Sequence, residues 1–232
     1  MGRRWRAALA LALVVLVGCL GAACGGHDKP SRLSAKEQKA LRLRVFAAGD
    51  SITYGFATSA PPQTSYPYLA GVQSVAFNGA CVSVRCPPPF DTQSWFEDRV
   101  RALPGHPDIG VALYGINDIA IRGATVEETI SGYEKLFDKA KGLGVHLFFG
   151  TLTPISPAAE AEFGPEDKRR ELNDWIRDQP GYVDYERALI GDDGWLKPEY
   201  DSGDGIHLSD AGAARLAKVL DEWIALGAGS ED

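Results

Sequence analysis

Apolar and polar residues follow two rhythms along this chain. Short, largely apolar runs at Val45–Ala48, Val75–Phe77, Ile109–Tyr114 and Val145–Gly150 read as strands, and Tyr182–Tyr185 reads as a brief fifth. Runs without alternation suit strands covered on both faces. Between them, apolar residues recur every three or four positions. Ser65–Val72 is a short helical piece, and Asp91–Leu103 aligns Trp95, Phe96, Val100 and Leu103 on one helix face. Thr125-Val-Glu-Glu128 is a capping box. It opens a helix with Val126, Ile130, Tyr133, Leu136, Phe137 and Ala140 on one side. Pro165 can begin another helix, with Leu172, Trp175 and Ile176 inward. Ser209 or Asp210 caps a last one, with Leu216, Val219, Leu220, Trp223 and Ile224 inward. Alternating strands and helices predict an α/β domain with a five-stranded parallel sheet. No internal repeat or second domain is evident. Phe56–Thr64, Cys81–Phe90 and the alanine-rich Ile155–Gly164 read as loops. The first two follow the first two strands, so they are expected to wall a cleft at the carboxyl edge of the sheet.

The first residues break the pattern. Arg3, Arg4 and Arg6 precede an apolar run, Ala7–Val17. That run is short for a bilayer span and the right length for a signal-peptide core. Leu16-Val17-Gly18-Cys19 resembles a bacterial lipobox, whose cysteine is diacylated. Cys24, after Ala22-Ala23, is a second candidate, and a plain signal peptide cut nearby is a third reading. Residues 1–18 are therefore expected to be a lipoprotein-type signal peptide, 19–40 a tether and 41–232 the domain. The mature protein is expected to be exported, either anchored by lipid to the outer face of the cell membrane or secreted.

At 45% hydrophobic residues, the 232-residue chain can bury one sizeable core. Its formal charge of −7 moves to about −10 once the three leading arginines are removed. That balance disfavours nucleic acid and suits small neutral substrates or glycans. Cys81 and Cys86 remain in the domain, and in an exported protein such a pair forms a small disulfide loop. Zinc would need two further ligands, and no His/Cys cluster lies nearby.

Candidate chemistry starts at Gly49-Asp50-Ser51-Ile52-Thr53, directly after the first strand. Glycine permits a sharp turn, Asp50 can brace it, and Ser51 is left at the sheet's carboxyl edge. A serine nucleophile needs a base and a group that orients it. Of four histidines, His27 lies in the tether and His106 in a turn. His146 sits within the fourth strand, where packing is the ordinary role. His207 precedes the last helix, with Asp204 three residues ahead, so Asp204 can hold one imidazole nitrogen while the other faces Ser51. Asn117 in Gly-Ile-Asn-Asp ends the third strand and can offer an uncharged amide donor. Gly79, after the second strand, can present its backbone N–H at close approach. The Ser51 N–H would be a third donor, and Asn78 is an alternative to Gly79.

Together these motifs resemble the SGNH, or GDSL, hydrolase family over residues 43–226. The family's serine, glycine, asparagine and histidine match Ser51, Gly79, Asn117 and His207, with Asp204–His207 as its DxxH. The glycine block departs from the family pattern, because Asn78 adjoins Gly79 and no second glycine follows. The resemblance implies a flavodoxin-like three-layer α/β/α fold. It also implies serine ester hydrolysis without metal or cofactor, through Ser51, His207 and Asp204 with an oxyanion hole at Ser51, Gly79 and Asn117. Gly150–Pro154, Asn173–Arg177 and Tyr200–Asp204 are similar to the carbohydrate-esterase and xylan-esterase branch. The expected function is esterase action on small-molecule, glycan or lipid esters by a monomer. An acyltransferase using the same triad and a non-catalytic envelope-binding protein are the alternatives.

Overall fold

A computed structural model describes residues 32–228. The expected signal peptide, Cys19, Cys24 and His27 lie outside them. Helix α1 (Ala35–Arg42) opens on a capping box between Ser34 and Glu37. It lies across the boundary at residue 40 where the tether was expected to end. The Leu33 N–H donates to Ala225 O at 2.9 Å, and Arg42 pairs with Asp221 at 2.7 Å, so this segment is fastened to the end of the chain.

In order there follow β1 (Val45–Gly49), α2 (Ser51–Tyr54), α3 (Tyr66–Leu69), β2 (Gln73–Ala76), α4 (Thr92–Arg101) and β3 (Ile109–Leu113). A π-helical turn (Asn117–Ile121) leads to α5 (Val126–Gly142), β4 (His146–Phe149), α6 (Pro157–Phe163), α7 (Glu166–Arg177) and α8 (Tyr185–Leu189). A 3₁₀ turn (Pro198–Tyr200) and α9 (Asp210–Ala225) are the last elements among the described residues.

The sheet is parallel with order β2-β1-β3-β4. Its strands β1 and β3 are buried along their whole length, because both have neighbours on each side. Successive residues of a strand face opposite ways, and β4 shows what covers each face. Phe149 meets Tyr133 of α5 (4.9 Å between ring centroids) and Trp175 of α7 (5.8 Å), whereas Phe148 meets Trp223 of α9 edge-on at 5.1 Å.

Three expectations are corrected. The sheet has four strands among the described residues, not five. Tyr182–Tyr185 contributes a single bridge, Val183 to Gly150. The next residue, Asp184, caps α8 by accepting from the Arg187 N–H at 3.2 Å, so the chain turns into helix after one paired residue. Ile155–Gly164 is not a loop but carries α6. Ser156 accepts from the Ala159 N–H at its start, Pro157 takes the first position, and Gly164 (φ 60°) closes it. His146 is exposed at the foot of β4 rather than packed.

Candidate active site

Parallel register brings the ends of three strands level, since Gly49 lies opposite both Ala76 of β2 and Leu113 of β3. The segments that carry Ser51, Gly79 and Asn117 all leave from this edge. A Cβ on Gly49 would lie 2.7 Å from Leu113 O and collide with Thr53, so only glycine fits there. Asp50 then turns the chain and caps α2, its Oδ1 accepting from the Ile52 N–H at 2.9 Å. Ser51 is the first residue of that one-turn helix. Gly55, at φ 84°, ends it with its N–H on Ser51 O at 3.0 Å.

The Ser51 hydroxyl lies 2.8 Å from His207 Nε2, and His207 Nδ1 lies 2.6 Å from Asp204 Oδ2. A proton on Nδ1, facing the carboxylate, leaves Nε2 free to accept from the serine. The loop that carries the histidine is clamped at several points. Asp201 Oδ1 accepts from the Gly203 and Gly205 N–H groups, and Asp204 Oδ1 from those of Ile206 and His207. Gly205 O accepts from the Ser156 N–H at 2.8 Å, and Asp201 bridges Leu208. The α6 helix missing from the sequence reading is therefore one jaw of the clamp. Partial burial pushes the Asp204 carboxyl up. The His207 and Ile206 N–H groups and the His207 ring outweigh it and hold the group below the usual range.

The Ser51 and Gly79 N–H groups donate to no acceptor among the described residues. Gly79 sits at φ 77° with the Phe90 ring 3.0 Å from where a Cβ would stand. Asn78 is exposed. Asn117 Nδ2 donates to Ala80 O at 3.1 Å and approaches Asp50 Oδ2 at 3.4 Å. It thus spans from the Ser51 turn to the Gly79 loop.

That loop is held from behind. Asp118 accepts from the Val82 N–H at 3.0 Å and the Ser83 N–H at 2.7 Å, and Cys81 and Cys86 are joined in a disulfide with Cα atoms 5.6 Å apart. Burial raises the carboxyls of both Asp50, to about 7, and Asp118. The Ile52 N–H opposes the shift at Asp50 and the Asp118 charge adds to it, while the Ser83 and Val82 N–H groups oppose it at Asp118.

Sequence reasoning did not single out Asp118, Phe56 or Phe90. Phe56 packs on the His207 ring with centroids 4.7 Å apart, although it is itself nearly half exposed. Its loop is tied to α9 where the Ser59 N–H donates to Asp210 at 2.8 Å. The only available signals were an aromatic five residues after Ser51 and an acid directly after Asn117. His106 lies exposed in its turn. Among the described residues, no group of three or more His, Cys, Asp or Glu is placed to hold a metal.

A model of the GDSL-like lipase/acylhydrolase family matches residues 47–215. No curated protein matches the chain. Among solved structures, it is similar to a GDSL-like lipase from Bacteroides thetaiotaomicron (TM-score 0.59, 20% identity, 82% of this chain and 94% of that one). It is also similar to the inhibitor-bound aryl esterase of M. smegmatis (0.59, 18%, 78% and 98%). A third is a catalytic mutant of an acetylxylan esterase from Geobacillus stearothermophilus (0.58, 18%, 81% and 96%). At these identities the likeness is one of fold.

Proposed function

The chain belongs to the GDSL-like lipase/acylhydrolase family of ester hydrolases, and from that premise we propose that it is an exported serine esterase removing acetyl or other short acyl groups from envelope glycans or lipids. One observation carries this reading: the continuous chain of hydrogen bonds from Ser51 through His207 to Asp204.

In the proposed reaction, Ser51 Oγ attacks the ester carbonyl carbon and its proton passes to His207 Nε2. Asp204 holds the imidazole in the required tautomer and offsets the charge that forms. The tetrahedral oxyanion takes hydrogen bonds from the Ser51 and Gly79 N–H groups and the Asn117 amide, a donor of this kind contributing roughly 3 kcal/mol. Collapse breaks the bond to the alcohol, which leaves with the His207 proton. A water then gives a proton to Nε2 and attacks the acyl-serine. The acid leaves, and Ser51 recovers its proton from the imidazolium.

Support for export comes from the basic start, the Ala7–Val17 run and the lipobox-like residues before Cys19. A glycan ester is favoured by the resemblance of the C-terminal half to xylan esterases, and the neighbouring acetylxylan esterase adds fold-level support.

The test is acetate release from p-nitrophenyl acetate and acetylated xylan. A Ser51→Ala protein with an unchanged circular-dichroism spectrum is expected to lose at least about 10³-fold in kcat. Wild-type rates in that variant would sink the proposal. Mass spectrometry of the mature N-terminus reads the processing site, with Cys19 expected and Cys24 the alternative.

A further inference from the structure

The π-helical turn that begins with Asn117 closes on Arg122, whose N–H donates to Asn117 O at 2.9 Å. Such turns are rare and concentrate at functional sites. Here one turn carries a residue assigned to the oxyanion at one end and a cation at the other. The Arg122 guanidinium lies over the Phe90 ring, 5.0 Å from its centroid. That same ring covers Gly79, the other assigned donor. Arg122 is therefore one aromatic ring away from the oxyanion loop.

Seven of the twelve described arginines have a carboxylate partner, and Arg122 is among the five, with Arg32, Arg99, Arg187 and Arg215, that have none among the described residues. Arg42, Arg44, Arg85, Arg101, Arg169, Arg170 and Arg177 are each paired with a carboxylate. Arg122 has no ion pair and no side-chain hydrogen bond among the described residues, and its Nε is buried without an acceptor. Arg42 Nε and Trp95 Nε1 are buried without acceptors as well, so it is the missing carboxylate partner of the half-buried guanidinium, not the buried Nε, that leaves room for an anion. The stacked ring fixes the plane of the guanidinium and leaves its planar fork of donors, the geometry that grips a carboxylate or phosphate in two places. In a chain of net charge −7 the overall field repels anions, so an anionic substrate would need such a local cation.

We propose that Arg122, stacked on Phe90, is an anion subsite beside the ester-cleaving serine, and that the natural ester carries a carboxylate or phosphate close to the scissile bond. The proposal deepens the serine-esterase reading and rests on it. Phe90 supplies an apolar floor for the part of the substrate between ester and anion. Arg122 supplies an interaction that a neutral substrate of the same shape would forgo.

The experiment compares acetate release from three acetylated sugars: an O-acetyl glucoside, the matching O-acetyl glucuronide, and the matching O-acetyl glucoside 6-phosphate. Wild-type protein is expected to show kcat/KM at least about tenfold higher for one anionic ester than for the neutral one, equivalent to about 1.4 kcal/mol. Which of the two is preferred tells carboxylate from phosphate. Arg122→Gln should abolish the preference, and Arg122→Lys should keep part of it, because the charge remains while the fork is lost. The wild-type ratio should also fall as salt is raised from 0.05 to 0.5 M, about a threefold shortening of the screening length.

Equal rates on all three sugars in the wild type would overturn the subsite, and so would an unchanged ratio in Arg122→Gln. Thermal melts confirm that both variants are folded. A Ser51→Ala control reads the underlying reaction by itself. If acetate release survives it, the serine-esterase reading falls. If release disappears while the Arg122→Gln ratio stays at the wild-type value, only the subsite falls.

Discussion

Asp50 stands one residue before Ser51 and is wholly buried, and a carboxyl so placed is costly to ionise. Burial lifts it to about 7, against the pull of the Ile52 N–H and with some help from the Asp118 charge. In the unfolded chain the same group titrates near 3.9. Between these values the folded state binds more protons than the unfolded one, so the sign of the linkage is fixed. The stability contributed by protonated Asp50 is complete below about pH 4 and is lost as pH rises through about 7. Asn at this position still caps α2 but carries no charge. Asp50→Asn is therefore expected to remove a slope of up to about 1.4 kcal/mol per pH unit across that window. Urea midpoints of both proteins at pH 4 to 8 check it, and parallel pH profiles would acquit Asp50 of the effect.

At the level of elements, the loop from Gly79 to Ser83 shows how an irregular segment is made rigid. Residues Gly79 to Ser83 have no strand or helix to hold them. Beside the Cys81–Asp91 bridge and the disulfide, Asp118 does so, with a single oxygen accepting from two consecutive backbone N–H groups. Asp118→Asn keeps that oxygen and gives up the charge, whereas Asp118→Ala orphans two buried donors. Ala is expected to be less stable than Asn by about 1–3 kcal/mol and to show the larger fall in kcat, because the Gly79 N–H loses its support. Thermal melts and ester kinetics on the pair check both, and equal behaviour of Ala and Asn would show that the acceptor does not matter.

This loop also marks where the sequence stops being legible. Ser51, Asn117 and His207 could be picked out because each follows a strand or precedes a helix, and such positions are visible in apolar periodicity. Phe90 and Arg122 act through a contact across residues far apart in the chain, which no local pattern encodes. The α6 helix is invisible to apolar periodicity because Pro157 and its alanines make no broad apolar stripe, Ala159 being its one buried residue. Its caps, Ser156 and Gly164, are the local signal for it.

Across the whole molecule, the departure from five strands to four raises the question of what secures the β4 side of the sheet. One backbone bridge at Val183 does little by itself. A buried polar network takes over where a further strand was expected. Arg169 is fully buried on α7, where the spacing had marked only Leu172, Trp175 and Ile176 as inward. It pairs with Glu166 at 2.7 Å and with Glu186 of α8 at 2.6 Å, and it donates to Leu152 O at 3.1 Å. Asn173 takes both backbone groups of Leu152, and the Glu186 N–H donates to Thr151 Oγ. The irregular segment that leaves β4 is thus stitched to two helices through side chains. Burial raises the Glu186 carboxyl, but Arg169 and Arg177 overcome it and hold the group below its usual range. That contribution to stability is therefore complete at neutral pH and is lost as pH falls through the folded value.

Removing the cation alone should do far more harm than removing the charges together. Arg169→Met leaves two carboxylates buried with weakened partners and is expected to cost about 3–5 kcal/mol. Adding Glu166→Gln and Glu186→Gln should recover a large part of that loss at pH 7, since no unpaired charge remains inside. Urea unfolding of the single and triple variants measures the difference. A single variant within about 1 kcal/mol of wild type would mean that the packing of Tyr133, Phe149 and Trp175 holds this side of the sheet without the network.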